Sequence, residues 1–166
     1  MVKQRLIDIS AIDTDEICVD HESLYQILHH GGRFRMIDGI VHHEAEQGIA
    51  VGYTEIRSAD WWACDHIPGR PIFPGVLMIE AGAQLCSWEF STRGIGVDGK
   101  FFGFGGVNQT RFRGMVEPET RLWIVCKLHR ARRTMFSYYC EGYIPGEDGL
   151  KDARRVFETE IIGAAL

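Results

Sequence analysis

The chain lacks three features, and each absence excludes a class of protein. No apolar run approaches the roughly 20 residues that a bilayer-spanning helix requires. There is no basic excess: 18 Lys and Arg stand against 23 Asp and Glu, a formal net charge of -5. That balance argues against a general nucleic-acid binder. No Cys-x-x-Cys occurs, and the five cysteines, Cys18, Cys64, Cys86, Cys126 and Cys140, are odd in number. A disulfide framework and a zinc ribbon are both disfavoured, and reduced thiols acting as small core hydrophobes are expected. Repeats and low-complexity tracts are also missing. At the start, Lys3, Arg5 and Asp8 interrupt the apolar residues too soon for a signal-peptide core. The expectation is a cytoplasmic protein with no membrane or nucleic-acid partner.

A length of 166 residues with 45% apolar content fits one self-sufficient domain. Residues 1–19 give no clear pattern and read as an N-terminal extension, with a single domain over 20–166. Asp20 reads as the N-cap of a short helix with Glu22 in its first turn. Leu24, Ile27 and Leu28 form its apolar stripe, and Gly31 and Gly32 stop it. Arg35 to His43 and Gly48 to Thr54 read as a hairpin whose turn is Glu44 to Gln47. Prolines are few, and three of the five (Pro68, Pro71 and Pro74) fall in the segment 58–75, a loop with restricted torsions.

A helix is expected from about Pro74, running Val76 to about Thr92 and ended by Gly94 and Gly96. Leu77, Met78, Ile79, Ala81, Leu85, Trp88 and Phe90 surround most of its circumference, so it reads as buried. Glu80 is then an acid in the second turn of a buried helix, where acids are rare. Strands follow at Phe101 to Phe104, Val107 to Arg113, Arg121 to Ala131, Thr134 to Ile144 and Arg154 to Ile162. Leu122, Ile124, Cys126 and Leu128 share one face, as do Phe136, Tyr138 and Cys140, and Phe157, Thr159 and Ile161. The order predicts an α+β fold, a largely antiparallel sheet wrapped around one long central helix.

The most informative stretch is His66 to Gln84. It sets an imidazole and a carboxylate fourteen positions apart, separated by a stiff Pro/Gly loop that opens into the apolar helix. Such a set suits chemistry beside a carbonyl. The stretch resembles the signature His-Phe-Pro-Gly-x-Pro-Ile-Phe-Pro-Gly-Val-Leu-x-x-Glu-Ala-x-Ala-Gln of the hotdog-fold 3-hydroxyacyl-[acyl carrier protein] dehydratases of the FabZ type. Leu28 to Asp38 is similar to the family's Leu-Pro-His-Arg-x-Pro-Phe-Leu-Leu-Val-Asp. Phe102-Gly103, Val107 to Phe112 and Val116 to Leu122 resemble its strand pair after the helix. Asp65 stands where the family has glycine, Ile67 where it has phenylalanine, and Gly31 and Arg33 where it has arginine and proline.

The resemblance implies a hotdog fold and dehydration of a (3R)-3-hydroxyacyl thioester to its trans-2-enoyl product. His66 would take the C2 proton, for which an imidazole is suited near neutral pH. Glu80 would protonate the departing C3 hydroxyl; burial disfavours the charged form of a carboxyl, which suits a donor. Glutamate rather than aspartate points to the type that dehydrates without isomerising. The N–H of Gly75, with Val76 beside it, would face the thioester oxygen at the helix start. Phe73, Phe102, Gly103, Phe101, Phe104 and Trp88 are candidates for an acyl channel.

The resemblance further implies an acyl carrier protein as partner. It implies a homodimer, possibly a trimer of dimers, whose sites each take His66 from one chain and Glu80 from the other. Arg111, Arg113, Arg130, Arg132 and Arg133 are candidates to meet the acidic carrier. The adjacent pairs His29-His30 and His42-His43 read as surface or packing residues, and neither a metal nor an organic cofactor is expected. Two other readings keep the fold: a thioesterase, in which an acid activates water, and a non-catalytic acyl-binding or assembly subunit. The support for the last is Asp65, whose carboxylate next to His66 could disturb the imidazole.

Overall fold

The computed structural model describes residues 5–94 and 102–165. Its elements are β1 (Val19–Asp20), α1 (His21–Ile27), β2 (Gly39–Glu44), β3 (Ile49–Ile56), α2 (Gly75–Thr92), β4 (Phe102–Phe112), β5 (Thr120–Arg132), β6 (Met135–Gly146) and β7 (Gly149–Ala165). The strands form one antiparallel sheet in the order β1-β2-β3-β5-β6-β7-β4. α2 packs against β3, β5, β6 and β7, so the sheet wraps the helix as a hotdog fold requires.

Alternation along the strands builds two cores. Leu122, Ile124 and Cys126 of β5, Phe136, Tyr138 and Cys140 of β6, and Phe157 and Ile161 of β7 face α2. The intervening Trp123, Val125 and Tyr143 face the other side, with Val41, Val51 and Tyr53. That outer core is closed by a turn of 3-10 helix at Ile9–Ala11, whose Ile9 is fully buried. Leu6 N–H donates to Glu141 Oε2 at 2.9 Å, and the Arg5 guanidinium donates to the Ala153 carbonyl at 2.8 Å. The middle strands are therefore buried on both faces, which is why they read so clearly as apolar runs.

α2 begins where Pro74 fixes the chain in an extended conformation, φ -60 and ψ 130, and it ends before Gly94, which turns left-handed at φ +62. The helix lies close on the sheet. A Cβ added to Gly82 would sit 2.8 Å from Cys140 Sγ and 3.1 Å from Ile161 Cδ1. Three thiols, Cys86, Cys126 and Cys140, meet at this contact as buried apolar groups, and burial raises the pKa of Cys86 and of Cys140. Cys18 and Cys64 are instead exposed, so only three of the five cysteines are core residues.

Several boundaries differ from those expected. The first hairpin strand starts at Gly39, not Arg35, because Gly32–Phe34 form a 3-10 turn and the N–H groups of Met36 and Ile37 go to the side chains of Gln84 in α2 and Tyr25 in α1 rather than into a ladder. In α1 the inward residues are Leu24 and Tyr25, while Ile27 is 39% exposed. The helix closes at Leu28, before the glycines. The two strand pieces around Gly105 are one strand, β4, carrying bulges at Phe104/Gly106 and Asn108/Arg111. Gly96 and Phe101 lie outside the described residues.

A second acid on α2 has no counterpart in the sequence reading. Glu89 is fully buried. It accepts from Arg93 Nε and Nη2, each at 2.8 Å, and from the Tyr138 hydroxyl, with His43 Nε2 at 3.4 Å. Arg93 also donates to the Ala45 carbonyl at 2.6 Å, which ties the helix end to the β2–β3 turn. Removing one member of such a buried pair leaves the other charge uncompensated. Glu89→Leu is expected to destabilise the fold by about 3–5 kcal/mol, measured by urea unfolding. A loss below about 1 kcal/mol would show that Arg93 and Tyr138 find solvent or other partners.

Candidate active site

His66 sits at the end of a run of turns after β3. Its N–H donates to the Trp62 carbonyl at 2.9 Å, and Trp62 is buried edge-on against Phe73 at 5.2 Å. Phe73 N–H donates to the Val116 carbonyl at 2.8 Å, which pins the other end of the loop. The imidazole itself is exposed, and its Nδ1 lies 2.8 Å from the Ile72 carbonyl. A carbonyl only accepts, so the hydrogen resides on Nδ1 and the Nε2 lone pair is left available in the neutral ring. The neighbouring Asp65 carboxylate accepts from Cys64 Sγ at 3.4 Å.

Gly75 opens α2. Pro74 supplies no side-chain cap, and the first N–H groups of a helix have no acceptor within it. The absence of a Cβ at Gly75 lets the Phe112 ring come close; a Cβ there would meet it at 2.8 Å. Val76, next along, is 70% exposed, an unusual position for an apolar residue of a buried helix.

Glu80 lies one turn further on, partly buried, with 25% of its side chain exposed. Its Oε1 accepts from Gln84 Nε2 at 2.7 Å and lies 3.5 Å from His30 Nε2. Glu80, His30, Phe102, Gly103 and Phe104 line a cleft of about 90 Å³ whose floor is Phe136 and Ile161. Phe102 packs edge-on against Phe90 at 5.0 Å.

The expected site residues therefore fall into separate groups within one chain. Glu80, Phe102 and Gly103 share a cleft. His66, Gly75 and Val76 do not line it, and no contact joins His66 to Glu80 among the described residues. Phe73 is 2% exposed and lines a different cleft of about 380 Å³ with Asp38, Thr54 and Trp62. Trp88 is a core residue beside His43. Arg113 is held by Glu158 at 2.7 Å and 3.2 Å.

Two residues of the Glu80 cleft escaped the sequence reading. Gln84 closes the recognised motif and lies one turn from Glu80 on the same helix face, a spacing that could have flagged it. His30 comes from the loop after α1, and nothing in the sequence places it against α2. In the structure it is a cleft residue with a buried Nδ1 that has no partner among the described residues.

The matching family model is the FabA-like domain, over residues 28–151. The chain belongs to the FabA-like family. Its relatives include FabZ-type members. The 3-hydroxyacyl-[acyl-carrier-protein] dehydratase FabZ of Teredinibacter turnerae is 33% identical over 78% of this chain and 89% of its own length. The enzyme of the same name from Desulfotalea psychrophila is 32% identical over 76% and 84%. Among solved structures, the dehydratase heterocomplex ApeI:P from Xenorhabdus doucetiae superposes with a TM-score of 0.66 at 12% identity, covering 86% of this chain and 90% of that one. The PaaI protein of E. coli superposes at 0.58 with 10% identity over 87% and 88%. At such identities these two superpositions establish the hotdog fold alone.

Burial lowers the pKa of His30 below its ordinary 6.5; His29 pushes the same way and Glu80 opposes. The unfolded chain therefore takes up this proton first as pH falls, so the stability tied to neutral His30 is present above about 6.5 and lost on acidification. His30→Asn is expected to flatten the fall of the thermal midpoint between about pH 7.5 and 5.5. An unchanged slope in calorimetry would contradict this.

Proposed function

We propose that this FabZ-type chain dehydrates (3R)-3-hydroxyacyl thioesters borne by an acyl carrier protein, using His66 of one copy and Glu80 of another. The observation that carries the reading is the His66 tautomer. The Ile72 carbonyl holds the hydrogen on Nδ1 and frees Nε2 as an acceptor, in the loop that leads into a helix with an uncapped start.

His66 Nε2 takes the C2 proton, and the electrons of that bond form the C2–C3 double bond. The C3–O bond breaks, and a proton from Glu80 completes the departing water. Negative charge that builds on the thioester oxygen meets the N–H groups of Gly75 and Val76; one such donor stabilises a transition state by about 3–4 kcal/mol. Solvent then resets both groups.

A second copy of the chain supplies what one copy lacks. β4 is an edge strand, and it exposes Phe104, Val107 and Phe112. An apolar edge of this kind invites strand pairing. Phe112 lies against Gly75, so the exposed strip reaches the start of α2, where Val76 extends it. Pairing along this strip would bring the His66 loop of one copy toward the Glu80 cleft of the other. Phe102 and Gly103 would then flank the acyl chain, and Phe73 would act by holding the His66 loop through Trp62. No helix among the described residues is long and apolar enough to cross a membrane. A cytoplasmic role in fatty-acid or related acyl-chain biosynthesis accords with this reading. The thioesterase and acyl-binding alternatives draw no observation of their own.

Mass-spectrometric product analysis on 3-hydroxyacyl carrier substrates tests the reading. Wild type is expected to give the enoyl thioester, and His66→Ala and Glu80→Gln are each expected to lower kcat by about 10²–10⁴. Free carboxylic acid as product, or wild-type turnover in both variants, would refute it.

A further inference from the structure

The amide of Gln84 is 1% exposed, and all its hydrogen-bonding positions are filled. Its Oε1 accepts from the Met36 N–H at 3.1 Å and from the Tyr25 hydroxyl at 2.8 Å. Its Nε2 donates to the Phe34 carbonyl at 2.7 Å and to Glu80 Oε1 at 2.7 Å. Two of these partners have a fixed sense. A backbone N–H only donates and a backbone carbonyl only accepts, so the amide has one permitted orientation. A flip would set N–H against N–H at Met36 and oxygen against oxygen at Phe34, two buried mismatches. Tyr25 reinforces the choice. Its oxygen accepts from the Ile37 N–H at 2.9 Å, so its own hydrogen is directed at Gln84. Burial pushes the Tyr25 phenol well above its ordinary range, which keeps that hydrogen in place.

Gln84 can therefore only give a hydrogen to Glu80 Oε1. A protonated Glu80 that kept its hydrogen on Oε1 would oppose the N–H of Gln84. Oε2 has no partner among the described residues. His30 Nε2, at 3.5 Å from Oε1, approaches the same oxygen that Gln84 occupies.

We infer that Gln84 is a positioning residue that assigns the two oxygens of Glu80, making Oε1 the hydrogen-bonded carbonyl and Oε2 the oxygen that bears the acid proton. The catalytic part of this inference rests on the proposed role of Glu80 as the acid; the hydrogen-bond part does not. Segment 34–37 and α1 then act on the chemistry without touching substrate. They lock an amide, and the amide orients a carboxyl group.

The test uses the full chain and two readouts. In infrared difference spectra on acidification, the Glu80 carboxyl C=O band is identified by its loss in Glu80→Gln. It is expected to move to higher frequency in Gln84→Met, which has no donor, and to stay near its wild-type position in Tyr25→Phe, where Met36 and Phe34 still fix the amide. In dehydration assays, Gln84→Met is expected to lower kcat roughly 10- to 100-fold, the worth of one hydrogen bond to a charged group, with little change in KM. Tyr25→Phe is expected to lower it less. Should Gln84→Met unfold, the side-chain amide proton resonances of Gln84 are read in the otherwise intact chain: one of the two is expected to shift in Glu80→Leu, which removes the acceptor, and two unmoved resonances would overturn the hydrogen-bond claim. An unmoved Glu80 band in a folded Gln84 variant, or a loss of activity expressed only in KM, would overturn the inference. If wild type gave no enoyl product, the functional reading would fail, while the infrared comparison would still decide the hydrogen-bond claim.

Discussion

Burying an eighteen-residue helix in the hollow of one sheet leaves little water to solvate charge, and α2 carries two carboxylates into that space. The two are handled differently. Glu89 receives a full cation: both nitrogens of the Arg93 fork lie 2.8 Å away, and the Tyr138 hydroxyl completes its shell. That is a structural solution, in which the charge is neutralised where it lies. Glu80 receives no Lys or Arg among the described residues. Its nearest donors are an amide and a histidine whose pKa burial lowers. An acid left without a permanent counter-charge beside an apolar cleft can exchange a proton, and that difference separates the helix end that holds the fold from the end suited to chemistry.

The same helix fixes the other half of the proposed site. Pro74 sets the start of α2 and offers no cap, so its first N–H groups face outward beside exposed Val76. The loop before it is held at both ends, by Trp62 against Phe73 and by Phe73 to Val116, so the His66 ring rests on a supported turn. Within one chain this half and the Glu80 cleft remain separate. The exposed apolar strip from Phe104 through Phe112 to Val76 is the surface that would join them across two copies.

Elements with strong periodicity were legible in the sequence. α2, β5, β6 and β7 emerge with the inward faces expected, because core contact selects every second or every third to fourth residue. The loop carrying His66 and the helix start at Gly75 were legible too, since proline and glycine act locally. What the sequence hid is tertiary. Arg35 to Asp38 has strand-like composition, yet its N–H groups at Met36 and Ile37 are claimed by Gln84 and Tyr25. Ile27 and Tyr25 exchange faces because the Tyr25 hydroxyl has partners inside. Glu89 was hidden by the apolar neighbours that also bury it, and its pairing with Arg93 one turn on went unread. His30 became a cleft residue only once the loop after α1 folded back onto α2.

The central claim is that a complete site draws its imidazole and its carboxyl from different copies of the chain. Mixing is the most direct test. His66→Ala and Glu80→Gln proteins, each inactive alone, are unfolded together and refolded so that subunits exchange. A hybrid dimer then holds one site with both defects and one with neither, so activity is expected to return to about a quarter of wild type under random pairing. Hybrid dimers that form, as shown by two distinguishable tags, and yet produce no enoyl thioester would contradict the account.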